Sequence, residues 1–294
     1  MRTVRCHAGY TLLELLVVIS IIAVALGLLL AAVMRVRASA AKTQCQDKLH
    51  QISLALHQFH DVHKQLPPST HDKAGEYPYL GWRAKILPFV EQNAIWEQIK
   101  LDFSRQPLFW EGPRHVSESM VVHVFVCPAE ERVSALVLPE NAQVAFSHYL
   151  GVAGIASPAE NGCLFYRSRV RFADITDGLS STLLVGERPP SPDNRFGWWY
   201  AGTGQMLDGS ADMHLGVREY ISTFRAPMCH RTDAGFRPGT PDDMCDAFHF
   251  WSRHPGGASF LFADGSVRFL NYSADPILPA LATRAGGESV AIPD

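Results

Sequence analysis

Gly9 and Glu14 stand five residues apart at the head of the most apolar stretch in the chain, GYTLLELLVVISIIAVALGLLLAAVM at residues 9–34. A carboxylate at the start of such a run costs about 2.5–3.5 kcal/mol at a bilayer centre and less near an interface. An ordinary anchor has no use for it, and a carboxylate held in an apolar bundle needs a cation. Four histidines follow on one segment, His50, His57, His60 and His63, and the first three share roughly one side of a helix at i, i+7 and i+10. No Asp or Cys completes a ligand set of known spacing, so they read as a solvated polar face rather than a metal site. Asp174, Thr176, Asp177, Gly178 and residues 180–187 have the composition of a ligand loop, but equally that of turns and caps without a ligand. Glu187 beside Arg188 is either a buried pair or a plain surface pair.

His254 precedes Asp264 with nine residues between them, in RHPGGASFLFADGSVRFL at 253–270. A strand of that length places the histidine at the opposite end of a hairpin from the turn, so the two do not form a catalytic pair. Because His254 sits just before Pro255-Gly256-Gly257, its expected role is structural. A ring hydrogen bond would hold that turn, with the 169–188 segment as a candidate partner. Metal binding is the alternative, since a histidine and an aspartate on one element is also how metal sites begin. Six tryptophans (Trp82, Trp96, Trp110, Trp198, Trp199, Trp251) could line a carbohydrate groove, but such residues are more often core. No nucleotide-binding glycine motif, G-x-S-x-G or H-E-x-x-H occurs, so neither enzymatic activity, a cofactor nor a metal is expected.

The elements that must position these residues can be read from periodicity. Residues 15–34 carry no charge and no proline, enough for a helix across ~30 Å of hydrocarbon. Beyond them Cys45, Leu49, Ile52, Leu56, Phe59 and His63 follow a 4-3-4-3 spacing, one stripe on a helix, which Pro67 and Pro68 end. One helix over residues 11–64 would be about 80 Å long. Segment 81–100 reads as two short helices broken at Pro88. Segments 121–126, 143–152, 162–167, 182–186 and 197–201 read as strands, and 202–248 as a long loop region. Residues 259–263 and 267–270 flank Asp264-Gly265-Ser266, which predicts a hairpin with an I′-like turn, Gly265 at positive φ, closing one edge of an antiparallel sheet. The fold class is α+β: a long N-terminal transmembrane helix packed on a mainly antiparallel globular domain. The divisions that follow are the helix at 10–64 and the globular domain at 65–294.

The chain has 294 residues, 26 basic and 29 acidic, for a formal net charge of -3. No basic surplus points to nucleic acid. The six cysteines form no C-x-x-C pair, which disfavours a zinc ribbon or a thioredoxin-like centre. Without Cys6 near the N-terminus five remain, so at least one of those would be unpaired within the chain. Cys229 and Cys245 bracket a loop and are the best candidate pair in an exported domain. Arg2 and Arg5 flank the apolar run on one side, Arg35, Arg37 and Lys42 on the other. The positive-inside rule alone would put the C-terminal side in the cytoplasm.

Gly9 and Glu14 ahead of the apolar helix resemble the type IV prepilin processing signal. That resemblance implies a cytoplasmic leader, Met1 to Gly9, cut after Gly9 by prepilin peptidase, and methylation of the new N-terminal amine of Tyr10. It also implies that Glu14 pairs with the N-terminal amine of a neighbouring subunit in a filament. The first mature residue is usually Phe or Met, and Tyr10 keeps the aromatic. Five further blocks resemble, in order, the bacterial domain of unknown function 1559, also labelled solute-binding. They are TQCQDKLHQISLALHQFHD (43–61), GWRAKILPFVEQ (81–92), FVCPAEE (125–131), RVRFADITDGLSSTLLVGERP (169–189) and the H-x9-DG element with His254, Asp264 and Gly265.

The function these features imply is that of a pilin or pseudopilin-like envelope protein. It would be a structural or accessory subunit of a pilus or type II secretion-like assembly. Its expected partners are prepilin peptidase, the inner membrane and other pilin-like subunits. Its expected place is the inner membrane, single-pass, with the C-terminal domain outside the cytoplasm or in a filament. The alternative is a membrane-tethered solute or carbohydrate binding protein. An aromatic groove with convergent polar groups would favour that alternative.

Overall fold

The apolar run and the 4-3 stripe fold as one element. In the computed structural model, which describes residues 12–71, 75–137, 142–222, 229, 234–288 and 290–291, helix α1 spans Leu12–His63, 52 residues. Its first half is bare: the large apolar side chains from Leu12 to Val36 are exposed. Its second half buries Cys45, Leu49, Ile52, Ala55, Leu56 and Phe59 against the globular part, as the spacing predicts. The helix is long and apolar enough to cross a membrane.

The segment after Gly81 forms α2 (Trp82–Lys85), a 3-10 turn carrying Pro88, and α3 (Asn93–Arg105). Arg83 is fully buried and ties this segment to the rest of the domain. Its guanidinium donates to the carbonyls of Tyr149 at 2.7 Å, Trp198 at 2.6 Å and Asp212 at 2.6 Å. Two short strands, β1 (Ser134–Val137) and β2 (Ala142–Ala145), pair antiparallel as a small separate sheet. The main sheet contains β3 (Tyr149–Gly154), β4 (Leu183–Glu187), β5 (His214–Gly216), β6 (Gly257–Phe262) and β7 (Val267–Asn271), in the order β5-β3-β4-β6-β7. All its pairings are antiparallel except β3 with β5.

Alternation along the strands gives the sheet two apolar faces. Tyr149, Val185, Leu261 and Ala263 join the core beneath the α1 stripe. Leu150, Val152, Leu183, Phe260 and Phe262 join a second core on the opposite face, closed by Phe248, Phe250 and the short helix α4 (Leu278–Ala282).

Three strand expectations fail, each because backbone groups are taken elsewhere. The β-branched run 121–126 is no strand: it contains a 3-10 turn at His123–Phe125. The carbonyl of Phe125 accepts from the His148 N–H at 2.8 Å and that of Val126 from the Lys48 ammonium, leaving no ladder. Segment 162–167 is a turn packed on β3. The Gly162 N–H bonds to Ala153 O at 2.8 Å, and a Cβ on Gly162 would lie 2.3 Å from the Gly154 nitrogen. Segment 197–201 makes only isolated bridges, Phe146 to Trp198 and Leu80 to Ala201. Segment 143–152 is split between β2 and β3. The described part of 202–248 is loop apart from β5 and a 3-10 turn at Met244–Phe248.

The hairpin forms and β7 is an edge strand. Its turn differs from the expectation. Gly265 N–H bonds to Phe262 O at 3.0 Å, Phe262 N–H to Ser266 O at 2.9 Å, and only Gly265 has positive φ, at 89°. This is the three-residue loop with a left-handed glycine rather than a two-residue I′ turn. The turn also abuts α1: a Cβ on Gly265 would lie 3.0 Å from Ser53 Oγ. Gly265→Val is therefore expected to cost on the order of 1–3 kcal/mol from backbone strain alone. A thermal melt no lower than that of the wild type would contradict this placement.

Candidate functional site

Four chemically capable side chains converge from four distant points of the chain. Cys45 lies on α1 and Cys127 just after the 3-10 turn, and the two are joined by a disulfide across 82 residues. Glu187 ends β4, on the face turned toward α1, and His254 sits in the turn before β6. One ligand atom from each lies within 4.8 Å of the others, and all four residues are buried. His254 Nε2 is 3.4 Å from Cys127 Sγ and 3.5 Å from Glu187 Oε1. The second distance suits charge attraction, yet Glu187 Oε1 is aligned with no hydrogen-bond donor. The other oxygen, Oε2, accepts from the Ser259 N–H at 2.6 Å, so the carboxylate is held from behind. The Tyr149 hydroxyl donates to Cys45 O at 3.3 Å. These four side chains come one each from four of the five blocks quoted above for the domain of unknown function. Spacing alone gave no hint of the meeting, because no two are closer than 60 residues (Cys127 to Glu187).

His148 supports the cluster from the side. Its Nδ1 accepts from the Cys127 N–H at 2.8 Å and its Nε2–H donates to Arg132 O at 2.9 Å. Burial away from water disfavours the charged ring and pushes this imidazole down to about 4. The unfolded ring takes its proton near 6.5. The stability that this group lends is thus present above pH 6.5 and is lost as the pH falls toward 4, by about 3 kcal/mol at most. Melting temperatures between about pH 7 and pH 4 should fall more steeply for the wild type than for His148→Gln. Parallel curves would contradict this account.

The other residues singled out in the sequence are placed apart from the cluster. Asp264 sits at the exposed hairpin turn, accepting from the Ser266 N–H at 2.8 Å and its hydroxyl at 2.7 Å, while His254 lies at the far end of β6. Glu187 and Arg188 are both buried but face opposite sides of the strand. Arg188 donates to Pro189 O at 2.7 Å and to Ala211 O. Asp177 accepts from the Gly286 N–H at 2.6 Å and the Gly287 N–H at 2.9 Å, and the Thr182 hydroxyl donates to Gly178 O at 3.0 Å. The Thr182 bond is local turn chemistry, whereas Asp177 ties this segment to the chain after α4. His57 and His60 flank the Phe172 ring, at 4.7 and 4.3 Å between centroids. Cys229 and Cys245 are joined by the second disulfide, and Cys163 is a buried free thiol raised to about 12 by desolvation. Glu14 lies in the first turn of the exposed half of α1. Gly9 and Tyr10 lie outside the described residues.

A cavity of about 520 Å³ opens where α1 ends, lined among others by His63, His71, Lys85, Arg167 and Arg169. Burial lowers Lys85 to about 7. None of the six tryptophans lines this cavity, and Trp82, Trp199 and Trp251 are core.

The prokaryotic N-terminal methylation motif matches residues 4–30, and the family described as "Protein of unknown function (DUF1559)" matches residues 34–277. The chain belongs to the DUF1559 family. In this DUF1559 chain the methylation motif covers Gly9 and most of the exposed half of α1, and the family match begins where α1 leaves its apolar run. The pair supports a type IV pilin-like protein processed by prepilin peptidase and anchored in a membrane by its single N-terminal apolar helix. Comparison with curated proteins and with solved structures finds no match.

Proposed function

We propose that this DUF1559 chain is a pilin or pseudopilin-like subunit of an envelope assembly, cut after Gly9, methylated at Tyr10 and held to its neighbours through Glu14. The observation that carries this reading is the division of α1. Twenty uncharged residues stand bare above a stripe that the same helix buries in its own domain. An apolar helix of that kind needs lipid or a bundle of its copies, and Glu14 at its head then needs a cation such as a neighbour's amine. The domain faces the outside of the inner membrane in this reading. Two disulfides favour an oxidising compartment over the orientation that the flanking arginines alone would give. No catalytic role is proposed.

The tethered binding protein is the weaker reading, because Trp82, Trp199 and Trp251 are core and no tryptophan lines the cavity at the end of α1. Mass spectrometry of the mature N-terminus combined with mechanical shear of the cells tests the proposal. Methylated Tyr10 in material released with other pilin-like subunits is the expected result. A processed chain that never leaves the membrane fraction would favour the tether.

A further inference from the structure

We propose that Cys45, Cys127, Glu187 and His254 form a redox-gated site for one divalent, thiol-seeking metal ion of the zinc class, closed while the cysteines are joined and opened by their reduction. A tetrahedral zinc site with bonds of about 2.0–2.3 Å sets its donor atoms roughly 3.3–3.8 Å apart. Two of the distances needed already have that value: 3.4 Å from His254 Nε2 to Cys127 Sγ, and 3.5 Å from His254 Nε2 to Glu187 Oε1. Once the sulfur–sulfur bond is broken, side-chain rotation lets the two thiolates part to about 3.8 Å.

The second observation is the orphaned oxygen. Glu187 Oε1 is buried and makes no hydrogen bond; it lies 3.5 Å from His254 Nε2, so a cation bound between the two would offset its desolvation. Its partner oxygen is fixed by the Ser259 N–H, the kind of outer contact that orients a metal-ligating carboxylate. The donor set is two sulfurs, one imidazole and one carboxylate oxygen, which suits zinc better than calcium or magnesium. Each donor stands on a separate element, α1, the loop after the 3-10 turn, β4 and the turn before β6. An ion there would therefore tie the helix to the sheet as the disulfide does.

The electrons balance through thiol–disulfide exchange. An external dithiol gives two electrons and two protons and becomes a disulfide, while Cys45 and Cys127 become thiols. Zinc binding then releases both thiol protons to solvent as the two Zn–S bonds form. Reoxidation by a disulfide of higher potential reverses both steps and expels the ion.

The test uses the full chain in detergent, oxidised or reduced with a phosphine, dialysed against zinc and analysed for metal, with circular dichroism following the fold. One zinc per reduced chain and none per oxidised chain is expected. Cobalt substituted in the reduced chain should show a thiolate-to-cobalt absorption band. Glu187→Gln should weaken zinc at least about tenfold. His254→Ala should abolish stoichiometric binding, while Cys163→Ser should leave it intact. A chain that loses its fold on reduction but keeps it when zinc is present would also support the site. The proposal is overturned if the reduced, folded chain takes no zinc, or if it unfolds equally with and without zinc. Equal zinc in both redox states, or binding indifferent to His254→Ala, would overturn it as well.

Discussion

Gly9→Leu is expected to leave the leader on essentially every copy of the protein. The cause is chemical rather than conformational. The methylation motif spans residues 4–30, and within it Gly9 precedes Tyr10, the first mature residue in the proposed reading. A leucine side chain would occupy the place beside the scissile bond where glycine offers none. Without the cut there is no free amine at Tyr10, so there is nothing to methylate and no cation for a neighbour's Glu14. Intact-mass measurement of the membrane-bound protein decides it. The variant should carry residues 1–9 and be missing from sheared material, whereas wild type should lack them. Equal processing of the two would remove the basis for the pilin-like reading.

Phe59→Ala is expected to destabilise the domain by about 3 kcal/mol, the low end of the ~3–5 kcal/mol typical for a buried phenylalanine. Phe59 is 8% exposed and packs edge-on against Phe89 at 6.0 Å, at the last turn of the α1 stripe. It also borders the cavity at the helix end, so part of its surround is already open and less packing is lost. The melting temperature should fall by roughly 6–12 °C for a domain of this size. Leu54, 64% exposed on the other side of the same helix, is the control, and Leu54→Ala should stay within about 0.5 kcal/mol of wild type. Similar losses from both would mean that the stripe does not seat the helix on the domain.

Local spacing encodes one part of this fold. The membrane-length run, the 4-3 stripe from Cys45 to Phe59 and its end before Pro67 are periodic patterns that depend on near neighbours alone. The same holds for the hairpin at Asp264-Gly265, where an apolar run must reverse on a residue that tolerates positive φ. Its turn type was beyond reach, because one residue more or less in the loop changes few local preferences. The segment 121–126 shows the limit from the other side. Val121, Val122, Val124 and Val126 have strand composition, but a strand exists only if another strand takes its backbone groups. Here Lys48 and His148 take them instead.

The candidate site belongs wholly to the tertiary structure. Cys229 and Cys245, 16 residues apart, could be paired by eye, whereas Cys45 and Cys127 are 82 apart and meet only because α1 lies across the sheet. Glu187 faces them because alternation along β4 puts it on the same side as Val185, and His254 arrives because β6 must begin beside β4. The identities of these side chains were visible from the start. Their distance from one another was not, since it is set by strand order and by where a helix of 52 residues comes to rest.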